Sequence, residues 1–342
     1  MTKVTIRDVA AAAGVSAATV SRALSQPGRV TLETAQRVRR VADELGYRAR
    51  AVAVDPLDVG LVGEIGALVP VLRYPIFADY LHGVQGRCDA RDFSLSISAT
   101  RDSGDVERGL LDRMLRRVDG LILFSPRVSD VTIRRAAGVR PVVVVNRLVR
   151  GVRSVIADDR ASIDAMVREL VRLGHRSVAY VPGAASSWQN GLRWQGLLTA
   201  CQREGVRLRR LECPYVSGRA GTDAAPLIDG TVVDRFLERP ATALVAFNDA
   251  LACGCMTAFA ARGVRVPDDV SVIGFDDTQE GRMGAPRLAT VGVDRERMGE
   301  LAATRLIERV LHVGDAGDAP VVQESVFMPA ASLGPAPVAS RP

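Results

Sequence analysis

The 342-residue sequence predicts an α/β protein in two parts, a three-helix helix-turn-helix headpiece over residues 1–48 and a parallel-sheet core over residues 61–330. Two observations carry that expectation. The first fifty residues place cap, apolar and turn residues at helical spacing, and from about Val62 short β-branched runs alternate with amphipathic helical stretches.

The first helix is expected from about Ile6 to Ala13. Thr5 with Asp8 three residues on satisfies open N–H groups at a helix start, and Ile6, Val9, Ala10 and Ala13 recur at helical spacing. Gly14 supplies the positive φ of a sharp turn, Val15 plugs the angle between helices, and Ser16 caps a second helix through about Leu24. Thr31 caps a third, Leu32 to Leu45, with Val38, Val41, Ala42 and Leu45 inward and Gly46 as its stop.

On the second helix Val20 and Leu24 are spaced to face the core, which leaves Ala17, Ala18, Ser21 and Arg22 outward. A guanidinium there suits bidentate bonding to guanine O6 and N7, while the alanines offer only apolar contact, for instance to a thymine methyl. Thr5, Ser16, Thr19, Ser21 and Thr34 carry short hydroxyls suited to phosphate oxygens. Charge agrees with a DNA-binding element. Residues 1–50 hold nine basic side chains against four acidic ones, which is nearly all of the net +6 of the whole chain. Such a segment attracts a polyanion by counterion release. Caps and a glycine turn alone would fit any small three-helix module; the local charge is what favours DNA.

In the long second part, strands are expected at Gly66 to Val69, Phe93 to Ala99, Gly120 to Phe124, Val142 to Asn146, Ser177 to Val181, Ala243 to Phe247 and Val270 to Phe275. Helical stretches between them include Ile76 to Arg91, Val106 to Arg117, Arg160 to Leu173, Leu192 to Glu204, Thr231 to Leu237 and Ala250 to Arg262. This alternation means parallel βαβ units, in which ligands sit outside the carboxyl ends of the strands. Val145-Asn146-Arg147, Phe247-Asn248-Asp249 and Gly274-Phe275-Asp276-Asp277 each end an apolar run in hydrogen-bonding residues. The loop Ser186 to Gly196 adds Trp188, Arg193 and Trp194. Carboxylate, amide, guanidinium and aromatic groups together are the chemistry of a polyol site, where rigid donors and acceptors meet hydroxyls and a ring stacks on the sugar's apolar face. Each Asp or Asn taken singly also fits a plain helix cap.

Several motifs carry a resemblance. Thr5-Ile-Arg-Asp-Val-Ala, Gly14-Val-Ser, Thr19-Val-Ser-Arg and Leu45-Gly-Tyr47 resemble the headpiece of the lactose/galactose repressor (LacI/GalR) family. Asp119-Gly-Leu-Ile-Leu, Leu173-Gly-His-Arg, Arg193-x-x-Gly196, Asn248-Asp249, Val266 to Asp277 and Leu288-Ala-Thr-Val resemble its effector core, so the similarity runs from about Thr5 to Phe327. The resemblance implies a second helix lying in the major groove, with Ala17, Ala18 and Arg22 choosing the operator and Arg29 and Tyr47 contacting its backbone. It implies a type I periplasmic-binding-protein-like core of two doubly wound parallel-sheet subdomains, one of about 61–157 and 289–320 and the other of about 158–288 and 321–330. The crossovers are expected near Asp158, Leu288 and Val321. Carried over by motif, Arg193, Asp276, Asn146 and Asn248 contact the effector, and Phe77 and Trp188 are stacking walls. Asn146 departs from the aspartate more usual at that strand end.

Residues 49–60 break the family's pattern: Ala49 and Arg50 stand where Pro-Asn is expected, and Pro56 falls near the position of a minor-groove leucine. Two readings stay open there, a plain linker or a wedge supplied by Val54 or Leu57. The proline-rich end, 331–342, is expected to be a flexible tail.

The remaining signals bear on class. Cys88, Cys201, Cys213, Cys253 and Cys255 lack paired CxxC spacing and read as small buried hydrophobes before zinc ligands. His82, His175 and His312 belong to no nucleophile motif, and no metal or cofactor is expected. No apolar run reaches the roughly 18 to 20 residues that span a bilayer, and the chain starts on a helix cap in place of a signal peptide, so a cytoplasmic protein is expected. The reading is a transcription regulator, a repressor, that binds a pseudo-palindromic double-stranded operator as a homodimer or tetramer and answers to a small-molecule effector, a sugar or related polyol. The competing classes are a standalone sugar-binding protein, which would lack the basic headpiece, and an α/β enzyme acting on a sugar.

Overall fold

Asp8 accepts from both the backbone N and the Oγ1 of Thr5 at 2.7 Å, which starts the first helix, α1 (Ile6–Ala13). In this computed structural model, which describes residues 5–25, 32–45, 61–211, 230–313 and 317–337, residues 1–61 and 62–342 form separate units. Gly14 takes φ 66°, a conformation that a side chain would strain, and turns the chain into α2 (Ala17–Ser25). Ser16 Oγ accepts from Thr19 N at 3.1 Å as the cap. Val9, Val20, Ala23, Val38 and Ala42 close a small core with α3 (Leu32–Glu44). Leu45, expected inward, is 39% exposed, because α3 ends at Glu44 and Leu45 lies beyond its inward stripe. Thr31, Gly46 and residues 49–60 lie outside the described residues.

The core chain begins with β1 (Glu64–Val69), α4 (Ile76–Asp89), β2 (Ser94–Ala99), α5 (Gly104–Met114), β3 (Gly120–Phe124), α6 (Asp130–Ala137), β4 (Val142–Val145) and β5 (Arg153–Asp158). It continues with α7 (Arg160–Arg172), β6 (Ser177–Val181), α8 (Trp188–Arg203), β7 (Arg207–Arg210), α9 (Thr231–Glu238), β8 (Ala243–Ala246), α10 (Asp249–Ala260) and β9 (Ser271–Ile273). Last come α11 (Gln279–Met283), β10 (Thr290–Gly292), α12 (Arg295–Val310), β11 (Val321–Glu324) and β12 (Val326–Met328). The seven expected strands are all present, and the prediction names none of β5, β7, β10, β11 or β12.

One sheet, order β11-β5-β4-β3-β1-β2, is parallel throughout, a second, β7-β6-β8-β9, is too, and β10 and β12 form a separate antiparallel pair. Both faces of each are covered. Ile65, Ala67, Ile122, Val143 and Val145 pack under α4 and α12, while Leu68, Leu121, Leu123 and Val144 pack under α5 and α6. In the second subdomain α7 and α8 cover one face and α9 and α10 the other. Continuous apolar runs such as Val142–Val145 are what two-sided burial requires.

Two expected boundaries move. Val321–Glu324 pairs in parallel with β5, so this stretch belongs to the first sheet and the chain crosses at Ser325 instead of Val321. Thr290–Gly292 pairs with β12, and Ile273 bridges Ala289, so the second crossing follows Gly292 instead of Leu288. The crossings after Asp158 and at Ser325 run side by side: Ser325 N donates to Asp158 O at 3.2 Å and Ser162 Oγ to Ser325 O at 2.6 Å.

The expected flexible tail is corrected for residues 331–337. Ser332 is fully buried, donating to Val272 O and accepting from Ala289 N; Gly334 bonds Ser271 and His175, and Ala336 N donates to Leu173 O at 2.8 Å. Low hydrophobicity did not predict order here because the segment is held by backbone hydrogen bonds to the core. Residues 338–342 lie outside the described residues.

Helices α4 and α12 touch backbone to backbone through a reciprocal notch. A Cβ on Gly83 would collide with the Glu296 carbonyl oxygen, and one on Gly299 with that of Tyr80. Gly83→Ala is therefore expected to lower core stability by about 1–3 kcal/mol, the scale of overpacking. Urea unfolding checks this; an unchanged midpoint would mean the two helices separate without cost.

Candidate functional site

Positive φ values gather at the carboxyl ends of the strands. Arg101, Asp102, Ser125, Asn146, Asp276 and Asp277 all lie between 45° and 105°, conformations uncommon outside glycine. These loops bound a cleft between the subdomains with a cavity of about 60 Å³. Of the sequence-derived candidates, Phe77, Arg193, Asn248 and Asp276 line it.

Arg193 is the centre. Its Nε donates to Asp159 Oδ2 at 3.0 Å, Nη1 to Phe247 O at 2.6 Å and Nη2 to Asp276 Oδ1 at 3.2 Å. The guanidinium carbon lies 5.1 Å from the Phe247 ring centroid and 4.2 Å from that of Phe275. Burial works against the charge, but Asp159 and Asp276 outweigh it and push the Arg193 pKa up.

Asp276 is shared across the cleft. Tyr74, in the loop from β1 to α4, donates its hydroxyl to Asp276 Oδ2 at 2.7 Å, so both carboxylate oxygens are engaged. Burial, then the charges of Asp276 and Asp249, raise the Tyr74 pKa well above 10.0, which keeps its proton in this bond. Arg295, opening α12, donates to the Asp276 carbonyl and pairs with Asp79 at 2.7 Å. Two first-subdomain side chains thus grip one strand end of the second. Sequence reasoning missed Tyr74 because it follows its strand by several residues.

Asn146 and Trp188 stand elsewhere. Asn146 Nδ2 donates to Tyr80 Oη at 2.9 Å, and Asn146 is not among the cavity's lining residues. Its Oδ1 is buried without a partner among the described residues. Trp188 is half-buried at the first turn of α8, where Ser187, the helix cap, and Gln189 line the cavity. Trp188 itself is not among the cavity's lining residues. Asn248 lines the cavity while its Oδ1 caps α10, accepting from Leu251 N at 3.0 Å, so the helix-cap reading of it holds.

Behind Asp276, Asp249 is fully buried. Its oxygens accept from Thr290 Oγ1 at 2.6 Å and Thr278 N at 2.7 Å, in space left by the missing side chain of Gly274. Burial and the neighbouring Asp276 push its pKa up to about 7. A larger groove of about 500 Å³ runs along α7 and α8, but its charged pairs, Arg160 with Asp158 and Arg203 with Asp164, already satisfy one another.

In the headpiece Thr5, Ser16 and Ala18 are exposed, while Ala17, Thr19 and Thr34 are half-buried. Ser21 and Arg22 lie on α2 with their side chains outside the described set; Arg29, Tyr47 and Leu57 lie outside the described residues. Cys88 and Cys201 are buried free thiols, Cys255 is buried and Cys253 is half-buried. Among the described residues no group of three or more His, Cys, Asp or Glu side chains is placed to hold a metal, and no helix is long and apolar enough to cross a membrane.

Residues 5–49 match the model for bacterial regulatory proteins of the lacI family, and residues 167–333 that for a periplasmic binding protein-like domain. The HTH-type transcriptional repressor PurR of Serratia proteamaculans is 32% identical over 316 residues, covering 90% of each chain. The HTH-type transcriptional regulator DegA of Bacillus subtilis is 30% identical over 305 residues, 87% of this chain and 88% of its own. Among solved structures, a lac repressor dimer bound to operator and the anti-inducer ONPF superposes with TM-score 0.73 at 24% identity, over 97% of this chain and 99% of that one, a likeness of fold. A complex of the transcriptional regulator CelR with cellobiose gives 0.66 at 25% identity, over 96% and 99%.

The Asp249 carboxyl makes stability depend on pH. Between the ordinary 3.8 and about 7 the folded chain holds a proton that the unfolded chain has released, so the contribution to folding falls as pH rises and is gone above 7. Relative to Asp249→Asn, the native core should lose about 4 kcal/mol from the low to the high end of that window, at about 1.36 kcal/mol per pH unit. Urea unfolding at several pH values checks this, and a difference that does not change with pH would refute it.

Proposed function

This chain belongs to the lacI family of bacterial regulatory proteins, and on that premise we propose that it is a sequence-specific DNA-binding transcriptional repressor controlled by a small molecule in the core cleft. The carrying observation is the pairing of a basic helix-turn-helix with a cleft whose polar groups converge on Arg193 and Asp276. The relatives it matches are regulators, not enzymes.

In this reading α2 enters the major groove, with Arg22 reading a base, Ala17 and Ala18 making apolar contacts, and Thr5, Ser16, Thr19, Ser21 and Thr34 positioning the backbone. Arg29 and Tyr47 add phosphate contacts, and Leu57 lies in the linker. The protein acts in the cytoplasm as a homodimer on a pseudo-palindromic operator, since two-fold protein symmetry calls for two-fold DNA symmetry. An apolar groove of about 680 Å³ along α10 and α11, lined by Met256, Val264 and Leu288, supports a self-association face, with Met283 of α11 75% exposed.

The effector is a sugar or related polyol held by Arg193, Asn248 and Asp276 against Phe77. The Tyr74 to Asp276 bond joins the two subdomains across the cleft and occupies a carboxylate oxygen that a ligand hydroxyl would use. A ligand that takes over Asp276 therefore favours a different arrangement of the subdomains, and that differential affinity is what alters operator binding.

Arg22→Ala should lower specific operator affinity by about 1–3 kcal/mol and relax discrimination at one guanine. Anisotropy titration against a library of single-base operator variants checks it; equal loss on every sequence would make Arg22 a phosphate contact. Asp276→Asn should remove the effector-dependent change in operator Kd, read as the ratio with and without effector. A ratio equal to that of the native chain would take Asp276 out of the switch.

A further inference from the structure

Asp102 faces the cleft from the first subdomain with a side chain only 5% exposed. Its Oδ1 accepts from Arg127 Nε at 2.6 Å, and its Oδ2 is buried with no hydrogen-bond partner among the described residues. A buried carboxylate oxygen left without a donor is costly, so the position calls for a ligand that donates. The backbone is bent to place it there. Arg101 and Asp102 take φ 54° and 55°, and Asp102 N donates to Pro70 O at 3.1 Å. Arg127 is anchored separately, with Nη1 on Ser125 O at 3.2 Å and its backbone N on Glu107 Oε2 at 2.6 Å, so its guanidinium is held at Oδ1 and does not cover Oδ2.

Charge narrows the class of ligand. The guanidiniums lining the cavity are Arg127, paired with Asp102, and Arg193, paired with Asp159 and Asp276: two cations against three anions. A phosphate or carboxylate ligand would find no unpaired cation there and would meet the bare Asp102 oxygen at short range in a poorly solvated space. A neutral hydroxyl donates to that oxygen at no such cost. The planar edge of Arg127 beside it offers N–H groups to an adjacent ligand oxygen.

We propose that the Asp102–Arg127 pair is a specificity determinant that selects neutral effectors carrying adjacent hydroxyl groups and rejects their phosphorylated or carboxylated forms. The proposal rests on the reading of the cleft as the effector site. Its test is thermal shift and calorimetric titration of the full chain with paired probes: glucose and its phosphate ester, myo-inositol and its monophosphate, xylose and xylonate, with adenine and hypoxanthine as nucleobases.

At least one neutral probe should bind about tenfold or more tightly than its anionic partner, equivalent to about 1.4 kcal/mol. Asp102→Asn, which keeps an acceptor for Arg127, should narrow that ratio about tenfold by weakening the neutral probe and relieving repulsion of the anion. General damage to the fold would weaken both members of a pair and leave the ratio unmoved; the ratio in the native chain tests the proposal even if the variant does not fold. Tighter binding of an anionic partner by the native chain, or a ratio unaltered in an Asp102→Asn chain that melts as the native chain does, overturns the proposal. Binding of a nucleobase alone overturns the hydroxyl class and leaves the cleft as the effector site, whereas no binding by any probe overturns both.

Discussion

A buried guanidinium organises the core. Arg193 sits between two phenylalanine rings with its donors directed at Asp159, the Phe247 carbonyl and Asp276. Taking such a charge out of water is tolerable only when its partners are fixed in advance, so the ends of β8 and β9 and the start of α7 must converge on it. That convergence makes the cleft. It also leaves Asp276 one oxygen with which to reach the other subdomain, and Tyr74 takes it. The same carboxylate is therefore both the counter-ion that permits the buried charge and the point where the two halves meet.

The joining strands and the helix notch give this arrangement a frame. Ser162 and Ser325 tie two crossings into one seam, so relative movement of the subdomains is borne by a narrow band of backbone. On the first subdomain Gly83 and Gly299 lock α4 to α12, which fixes Asp79 and Arg295 as a rigid pair facing the Asp276 backbone. A change at Asp276 consequently meets a stiff partner on one side and the Tyr74 loop on the other.

Much of this was legible in the sequence because the signals are local. Gly14, Ser16 and the Thr5–Asp8 pair announce helix ends through their own side chains, and two-sided burial writes itself as runs such as Val142–Val145. Strand ends named Asn248 and Asp276 for the same reason, and the stretch after Val181 named Arg193. What escaped depends on long-range pairing. β11 has only alternating burial and reads as loop until β5 lies beside it, and Ser332 and Gly334 are ordered by His175 and Ser271 far away in the chain. Asp102 carries no motif; its meaning comes from Arg127 and from an oxygen that the fold leaves without a donor. Asn146 did look like a ligand contact, yet it spends its amide on Tyr80, whose hydroxyl burial pushes to a pKa of about 12 and keeps protonated.

Charge is partitioned in a way that suits two ligands of opposite character. Nearly all of the net positive charge lies in the first fifty residues, and the rest of the chain is close to balance. A polyanion is attracted by cations whose binding lets it release its counterions, and that segment carries nine basic side chains against four acidic ones. In the cleft Arg127 and Arg193 are already matched by carboxylates. Pairing the two cleft arginines leaves the cleft less sensitive to salt than an exposed basic segment is, because buried pairs are screened less.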